Sequence, residues 1–181
     1  MAFTVNVPVI GLMGITSSDT GVTPPNASSA IPTPPMTPGM IVRATDPTYG
    51  EGEFILLKGC ANTVTGSVVR YNTVDFNTTL VADTAVQSSP VAVAMSASTS
   101  TSTWYWYQIS GTATMAKITT AGGTVAANSA IYLSATIGSV KGASAAGKQI
   151  LGARSQALSA LSAATTVLVT INRPHLQGRI T

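Results

Sequence analysis

Along most of the chain, short apolar or alternating runs are interrupted by Gly, Asn, Asp and Ser. From residue 40 onwards these runs recur about every ten residues, which is typical of an all-β sandwich or barrel of short antiparallel strands. The predicted strands are 40–43, 53–58, 67–72, 79–82, 91–96, 103–110, 113–118, 130–134, 149–154 and 166–172. Gly111 predicts a turn or bulge between two of them. Only residues 155–164 could form a helical turn, and their serine content disfavours it.

The densest aromatic stretch is Trp104-Tyr105-Trp106-Tyr107, which holds four of the ten aromatic residues of the chain. Consecutive side chains of a strand point to opposite faces, so the two Trp should share one face and the two Tyr the other. Both faces then need a cover, from a second sheet or from another subunit. Because Trp favours interfaces, Trp104 and Trp106 are candidate partner-binding residues; the alternative is that they lie in a sandwich core.

Residues 1–39 differ from the body, residues 40–181. They hold seven of the ten prolines and a single charge, Asp19. Such proline density favours an extended chain, so we predict an extended N-terminal arm; a disordered tail is the alternative. Its apolar tip supplies six candidate partner-binding residues, namely Phe3, Val5, Val7, Val9, Ile10 and Leu12. The alternation at its start predicts a strand that could add to another sheet. Since nothing in the arm alone can fold around this tip, we expect an arm that is mobile in the free protein and ordered on a partner.

A faint internal repeat is also visible. Residues 66–71 lead through a turn-rich stretch to residues 90–94, and residues 128–133 lead through residues 139–142 to residues 149–153. Each unit predicts a strand, an excursion and a returning strand. Two such units could pack as opposed halves of one barrel.

Charge is scarce throughout the chain. Only 8% of residues are charged, against about 25% in an average soluble domain. The net charge of +3 is scattered and no basic cluster occurs, so we expect no nucleic-acid partner. No apolar run is long enough for a membrane span, and the N-terminus is a poor signal peptide, so we expect cytoplasmic synthesis and no membrane partner. A charge-poor surface suits a protein that lives inside an assembly.

The sequence offers little chemistry. Residues 142–148 fit the first seven positions of a phosphate-binding loop, but Gln149 stands at the eighth position, where Ser or Thr should hold magnesium, and the sequence after it predicts a strand instead of a helix. The single His175 and single cysteine exclude a poly-histidine or cysteine-based metal site. Glu51 and Glu53 fit a solvated loop better than a carboxylate pair. We therefore predict no enzyme, and no catalytic, cofactor or metal site.

Several segments, in one order, resemble the capsid decoration, or cement, proteins of tailed bacteriophages. They are Gly-Ser-Val-Val-Arg-Tyr at 66–71, Pro-Val-Ala-Val-Ala-Met-Ser-Ala at 90–97, Trp-Tyr-Gln-Ile-Ser-Gly-Thr-Ala-Thr at 106–114, Leu-Gly-Ala-Arg at 151–154 with Ala-Leu at 157–158, and Thr-Val-Leu-Val-Thr-Ile at 166–171. The resemblance covers roughly the last two thirds of the chain. The proline-rich arm and the aromatic stretch depart from it.

The resemblance implies a small, β-rich structural protein of the virion, commonly trimeric, on the capsid exterior. Its partners would be the major capsid protein and further copies of itself, and it would stabilise contacts between capsid subunits. The alternative is a tail or head-fibre protein, or a glycan-binding receptor module of a virion whose aromatic residues stack on sugar.

Overall fold

The computed structural model describes residues 3–6, 13–19, 36–159 and 164–179. Twelve strands occur there: β1 Thr4–Val5, β2 Ser18–Asp19, β3 Ile41–Asp46, β4 Gly50–Lys58, β5 Val68–Tyr71, β6 Thr78–Leu80, β7 Val91–Ala94, β8 Trp104–Ala116, β9 Ala130–Leu133, β10 Val140–Lys141, β11 Gln149–Ser155 and β12 Thr166–Leu176. Every run predicted as a strand overlaps one of them, which confirms the all-β prediction. In this part of the chain, no helix is long and apolar enough to cross a membrane.

All strand pairs are antiparallel, and the main path of the sheet is β1-β3-β4-β8-β12-β11-β9-β10. The long strand β8, of 13 residues, pairs with β4, β12, β7 and β2. Strand β5 lies off this path between β6 and β7. The aromatic stretch thus begins the strand on which most of the sheet is assembled.

The expected repeat is confirmed by the pairing. In the first half, β5 pairs with β6 and with the returning β7, and β7 pairs with β8. In the second half, β9 pairs with β10 and with the returning β11, and β11 pairs with β12. Because β8 and β12 are neighbours, two units of the same connectivity meet along their last strands.

The structure corrects the prediction of two strands around Gly111, because β8 runs continuously through it. Gly111 has φ +96°, and a Cβ there would lie 2.5 Å from the carbonyl oxygen of Glu51. The register between β4 and β8 shifts beside it, where Glu53 pairs with Ser110 and Phe54 with Gln108. Gly111 therefore belongs to a bulge that bends the strand without ending it.

Three hydrophobic clusters make up the core, and β8 contributes to all of them. Trp104 and Trp106 lie in a cluster with the β3 and β4 side chains. Tyr105 and Tyr107 lie on the opposite face, against β5 and β7. The second half of β8 contributes Ala113 and Met115 to a third cluster. This cluster also contains side chains from both repeated halves. The predicted separation of the two Trp from the two Tyr is thus confirmed.

Three further expectations differ from the structure. Strand β12 continues past the predicted end at residue 172, because Arg173 (φ +42°) lies in a bulge opposite β11 that accommodates Pro174. Strand β10 lies in a stretch expected to be turn. Residues 155–159 form a strand end, a bend and a bridge rather than a helical turn, and the Ser155 hydroxyl donates a hydrogen bond to the Ala126 carbonyl oxygen. Residues 160–163 of the predicted turn lie outside the described residues.

Candidate functional surfaces

The first apolar residues that the structure describes, Phe3 and Val5, pack on the chain's own sheet. Strand β1 pairs with the edge strand β3, with Val5 opposite Ala44. The rings of Phe3 and Phe54 meet edge to face, with their centroids 4.8 Å apart. Phe3 and Val5 both contact the cluster that holds the two Trp. The predicted strand addition therefore occurs within this chain.

The second described part of the N-terminal segment covers the Trp face itself. Met13 and Ile15 are 9% and 3% exposed. The indole Nε1–H of Trp106 donates a hydrogen bond of 3.0 Å to the Met13 carbonyl oxygen, and Asp19 of β2 pairs with Trp104. For residues 3–6 and 13–19, the expectation of an arm that is mobile in the free protein is wrong, because their apolar side chains complete the chain's own core.

The predicted partner-binding residues differ in how deeply the structure buries them. Trp104 and Trp106 are 7% and 0% exposed, so they offer almost no surface to a partner. Phe3 and Val5 are half-buried. Val7, Val9, Ile10 and Leu12 lie outside the described residues. A partner-binding role for this set stays a prediction.

Three uncharged loops meet at one end of the sheet, which we call the uncharged end: residues 61–67, 95–103 and 134–139. The first two are joined by backbone hydrogen bonds between Thr63 and Ser98, and the third by the bond from Val68 N–H to the Gly138 carbonyl oxygen, 2.8 Å. Two large apolar side chains project from this end, Val64 at 57% and Ile137 at 58% exposure.

A cavity of about 390 Å³ opens at the same end. Its lining includes Thr16 of the N-terminal segment, Thr65, residues 94–97 and Thr114. The uncharged end therefore combines exposed apolar groups with hydroxyls and carries no ionic side chain within its three loops. The sequence signal for it is the long run of Ser and Thr before Trp104.

Charged side chains gather instead on the opposite side of β3 and β4 from the Trp cluster. Arg43 lies 3.9 Å from Glu51 and 3.3 Å from Glu53, and Arg173 lies 3.0 Å from the other oxygen of Glu53. Asn6 donates a hydrogen bond of 3.4 Å to Glu51. Exposed ion pairs each stabilise a fold little, so the main effect of this network is to set a fixed charge pattern across β3, β4 and β12. The two glutamates are therefore ion-pair partners of arginines.

The other residues considered for chemistry lie apart. His175 is exposed on β12. Lys148, from the glycine-rich segment 142–149, forms a 2.9 Å ion pair with Asp83, and the segment leads into β11, as the sequence indicated. Among the described residues, no group of three or more His, Cys, Asp or Glu could hold a metal ion.

Burial affects two tyrosines. It raises the pKa of Tyr107, between β4 and β7, well above its usual range. It also raises the pKa of Tyr71, at the end of β5, where the nearby charge of Arg173 acts in the opposite direction. Tyr71 and Arg70 border an open cavity of about 450 Å³ that no motif in the sequence predicted. The signal was the mixed polar and aromatic run Arg-Tyr-Asn-Thr-Val-Asp-Phe-Asn at 70–77.

The fold and these surfaces define the class: an all-β, internally repeated protein in which Phe3, Val5, Met13 and Ile15 pack into the chain's own core. In comparisons with known proteins, no family model matches the chain, and no curated protein matches it.

Proposed function

We propose that this protein is a structural, non-enzymatic component of a virion, located on the capsid exterior, where it binds an assembled phage head and stabilises contacts between major capsid subunits. A protein that binds only the assembled lattice shifts the assembly equilibrium by mass action and needs no chemistry. The resemblance of residues 67–172 to capsid decoration proteins supports this proposal.

The observation that carries the proposal is the uncharged end. The centres of protein interfaces are depleted of charged residues, and here three adjoining loops have none while Val64 and Ile137 are exposed. A lone soluble domain gains solubility from surface charge. We therefore assign the capsid-binding surface to the uncharged end.

Further copies of the chain are the second proposed partner. By resemblance we expect a closed trimer, since closed cyclic symmetry is the usual arrangement of homo-oligomers. Light scattering on the purified protein and on protein released from particles should give three times the chain mass. A single-chain mass in both preparations would contradict the trimer and leave the capsid-binding proposal to its own test.

The capsid-binding test uses charge insertion. Val64→Asp and Ile137→Asp each place a charge in the uncharged end and should abolish co-sedimentation with assembled shells. Val74→Asp is the matched control, because Val74 is 85% exposed and lies beyond the other end of β5. Wild-type protein should also be present in purified heads in a fixed ratio to the major capsid protein. Unchanged shell binding by both Asp variants, or absence from heads, would contradict the proposal.

The alternative of a fibre or glycan-binding module stacks the two Trp on sugar. Trp104 and Trp106 are buried under the N-terminal segment, so this surface does not favour the alternative. A decoration protein should bind assembled shells and not unassembled capsid protein. This difference in binding is the readout that separates the two functions.

A further inference from the structure

The cavity beside Arg70 and Tyr71 lies at the opposite end of β5 from the uncharged end. It is formed by the connection after β5 and by residues 88–90 before β7, and has a volume of about 450 Å³, within the range of small-ligand sites. Its lining includes Asn72, Asp75 and Asn77. Their side chains also bond within the connection, since the Asn72 side-chain oxygen accepts from the Val74 N–H and the Asp75 carboxylate accepts from Asn77. Guanidinium, carboxylate and amide groups, which donate or accept in fixed planes, thus surround one half-buried aromatic ring.

Arg70 is held in position although it is exposed. Its Nε donates a hydrogen bond of 2.8 Å to the Thr79 hydroxyl, and its Nη1 donates one of 3.0 Å to the Gln87 side-chain oxygen. No partner for its Nη2 occurs among the described residues. The guanidinium is therefore oriented before any ligand arrives, with one terminal nitrogen left for binding.

Residues that adjoin the cavity lining, without being part of it, carry unusual backbone strain. Three bulky residues adopt left-handed conformations, namely Phe76 (φ +56°), Val86 (φ +60°) and Arg173 (φ +42°). Phe76 lies between two lining residues, Val86 precedes the Gln87 that binds Arg70, and the charge of Arg173 acts on Tyr71. Such strain persists only where the surroundings impose it, and it concentrates at functional sites.

The equivalent cavity in the second half of the repeat has a different lining, so the fold alone does not require the charged groups around Arg70. Arg70 pairs with Val91, the first residue of β7, and at the same place Tyr132 pairs with Gln149, the first residue of β11. The cavity at Tyr132 measures only about 240 Å³, and its lining, apart from Tyr132, consists of Ser, Ala and Gln residues. The charged groups are specific to the first half.

From these observations we propose that the Arg70 cavity is a saccharide-binding site. Vicinal hydroxyls match paired planar donors and acceptors, and Tyr71 supplies an apolar face for the sugar ring. Arg70 is the one cation among the described residues of the lining, and the Asp75 carboxylate already accepts hydrogen bonds from Asn77. The site therefore favours a sugar whose carboxylate binds the Arg70 guanidinium. The proposal does not rest on capsid binding.

The test uses the full-length protein on an array of bacterial and animal glycans that includes sialylated, uronic-acid and neutral oligosaccharides. We expect binding to acidic oligosaccharides, and saturation-transfer NMR on the best of them should show contact with the Tyr71 ring. Arg70→Ala and Asn77→Ala should weaken binding at least about tenfold. Tyr132→Ala, in the second-half cavity, is the control and should bind like wild type.

If Arg70→Ala does not fold, Arg70→Lys keeps the charge, loses the planar fork and should still weaken binding. Absence of binding to every glycan on the array would overturn the proposal, as would equal losses for the Tyr132 and Arg70 variants. Competition by inorganic sulfate as strong as that by the sugar would replace it with a simple anion site. Shell co-sedimentation of the Arg70 variants should be unchanged, so that failure of this proposal and of capsid binding can be told apart.

Discussion

Ile15→Ala tests whether the N-terminal segment belongs to the core of the free protein. Ile15 is 3% exposed and packs in the cluster of the two Trp, and truncation of such a side chain costs about 2–5 kcal/mol. For a chain of this size, each kcal/mol lowers Tm by about 2–4 °C, so we expect a fall of about 4–20 °C. The assay is thermal and urea unfolding at fixed protein concentration.

Ile41→Ala is the matched control, with the same chemical change on the outer face of β3. Ile41 is 41% exposed, so its truncation should change stability by no more than about 0.5 kcal/mol. Equal, small losses from the two variants would refute the reasoning. They would mean that residues 13–15 are not packed in the free protein, and the mobile arm expected from the sequence would be correct.

Three further outcomes follow from single residues. Gly111→Ala should unfold at clearly lower urea than Gly50→Ala, because both glycines have positive φ but only the Cβ at Gly111 meets backbone, 2.5 Å from Glu51 O; equal midpoints would contradict the bulge. Trp106→Phe removes the indole hydrogen bond and should lower the free energy of unfolding by about 1–3 kcal/mol, whereas an unchanged value in urea titration would mean that the bond is not formed. The pKa of Tyr107 is higher in the folded protein than in the unfolded chain, so its contribution to the free energy of unfolding is full below about pH 10, the unfolded value, and falls as pH rises above it. When unfolding is measured against pH, Tyr107→Phe should reduce this alkaline loss of stability. An identical loss in the variant would contradict the raised pKa.

The sequence predicted the fold class well because the strand signal is local. Alternation over two residues decides which side chains share a face, so the separation of Trp106 from Tyr107 followed from the sequence alone. For Gly111 the sequence predicted a turn or a bulge but could not decide between them. A glycine with positive φ ends a strand in one setting and forms a bulge in another, and the contact with Glu51 that decides it comes from a distant strand.

The N-terminal segment shows a second limit. The alternation around Phe3 and Val5 indicated a strand that joins a sheet, which is correct. The sequence of such a strand does not show, however, whether its partner strand belongs to the same chain or to another molecule. Whether this strand pairs with β3 of the same chain or with a neighbouring molecule depends on how the chain is arranged in three dimensions. That is a tertiary property, and the proline content suggested the wrong answer for the residues that the structure describes.

The two candidate sites were missed for a related reason. The uncharged end is assembled from three loops that are distant in sequence and each uninformative alone. The Arg70 cavity is lined by the connection after β5 and by residues 88–90 before β7, which are separated in sequence. Neither surface has a sequence motif. Each can be recognised only from the structure, where loops that are distant in sequence lie side by side.

The positions of the two surfaces link the two proposals. Strand β5 begins at Val68, which bonds to Gly138 of the uncharged end, and finishes at Tyr71 on the border of the Arg70 cavity. A copy that docks on a shell through the uncharged end therefore presents the cavity away from the shell. Heads saturated with this protein should then gain saccharide binding that heads without it lack, and heads carrying Arg70→Ala protein should not gain it, although they bind as much of the protein. Loss of sugar binding by the wild-type protein when it docks would show that both functions compete for one face.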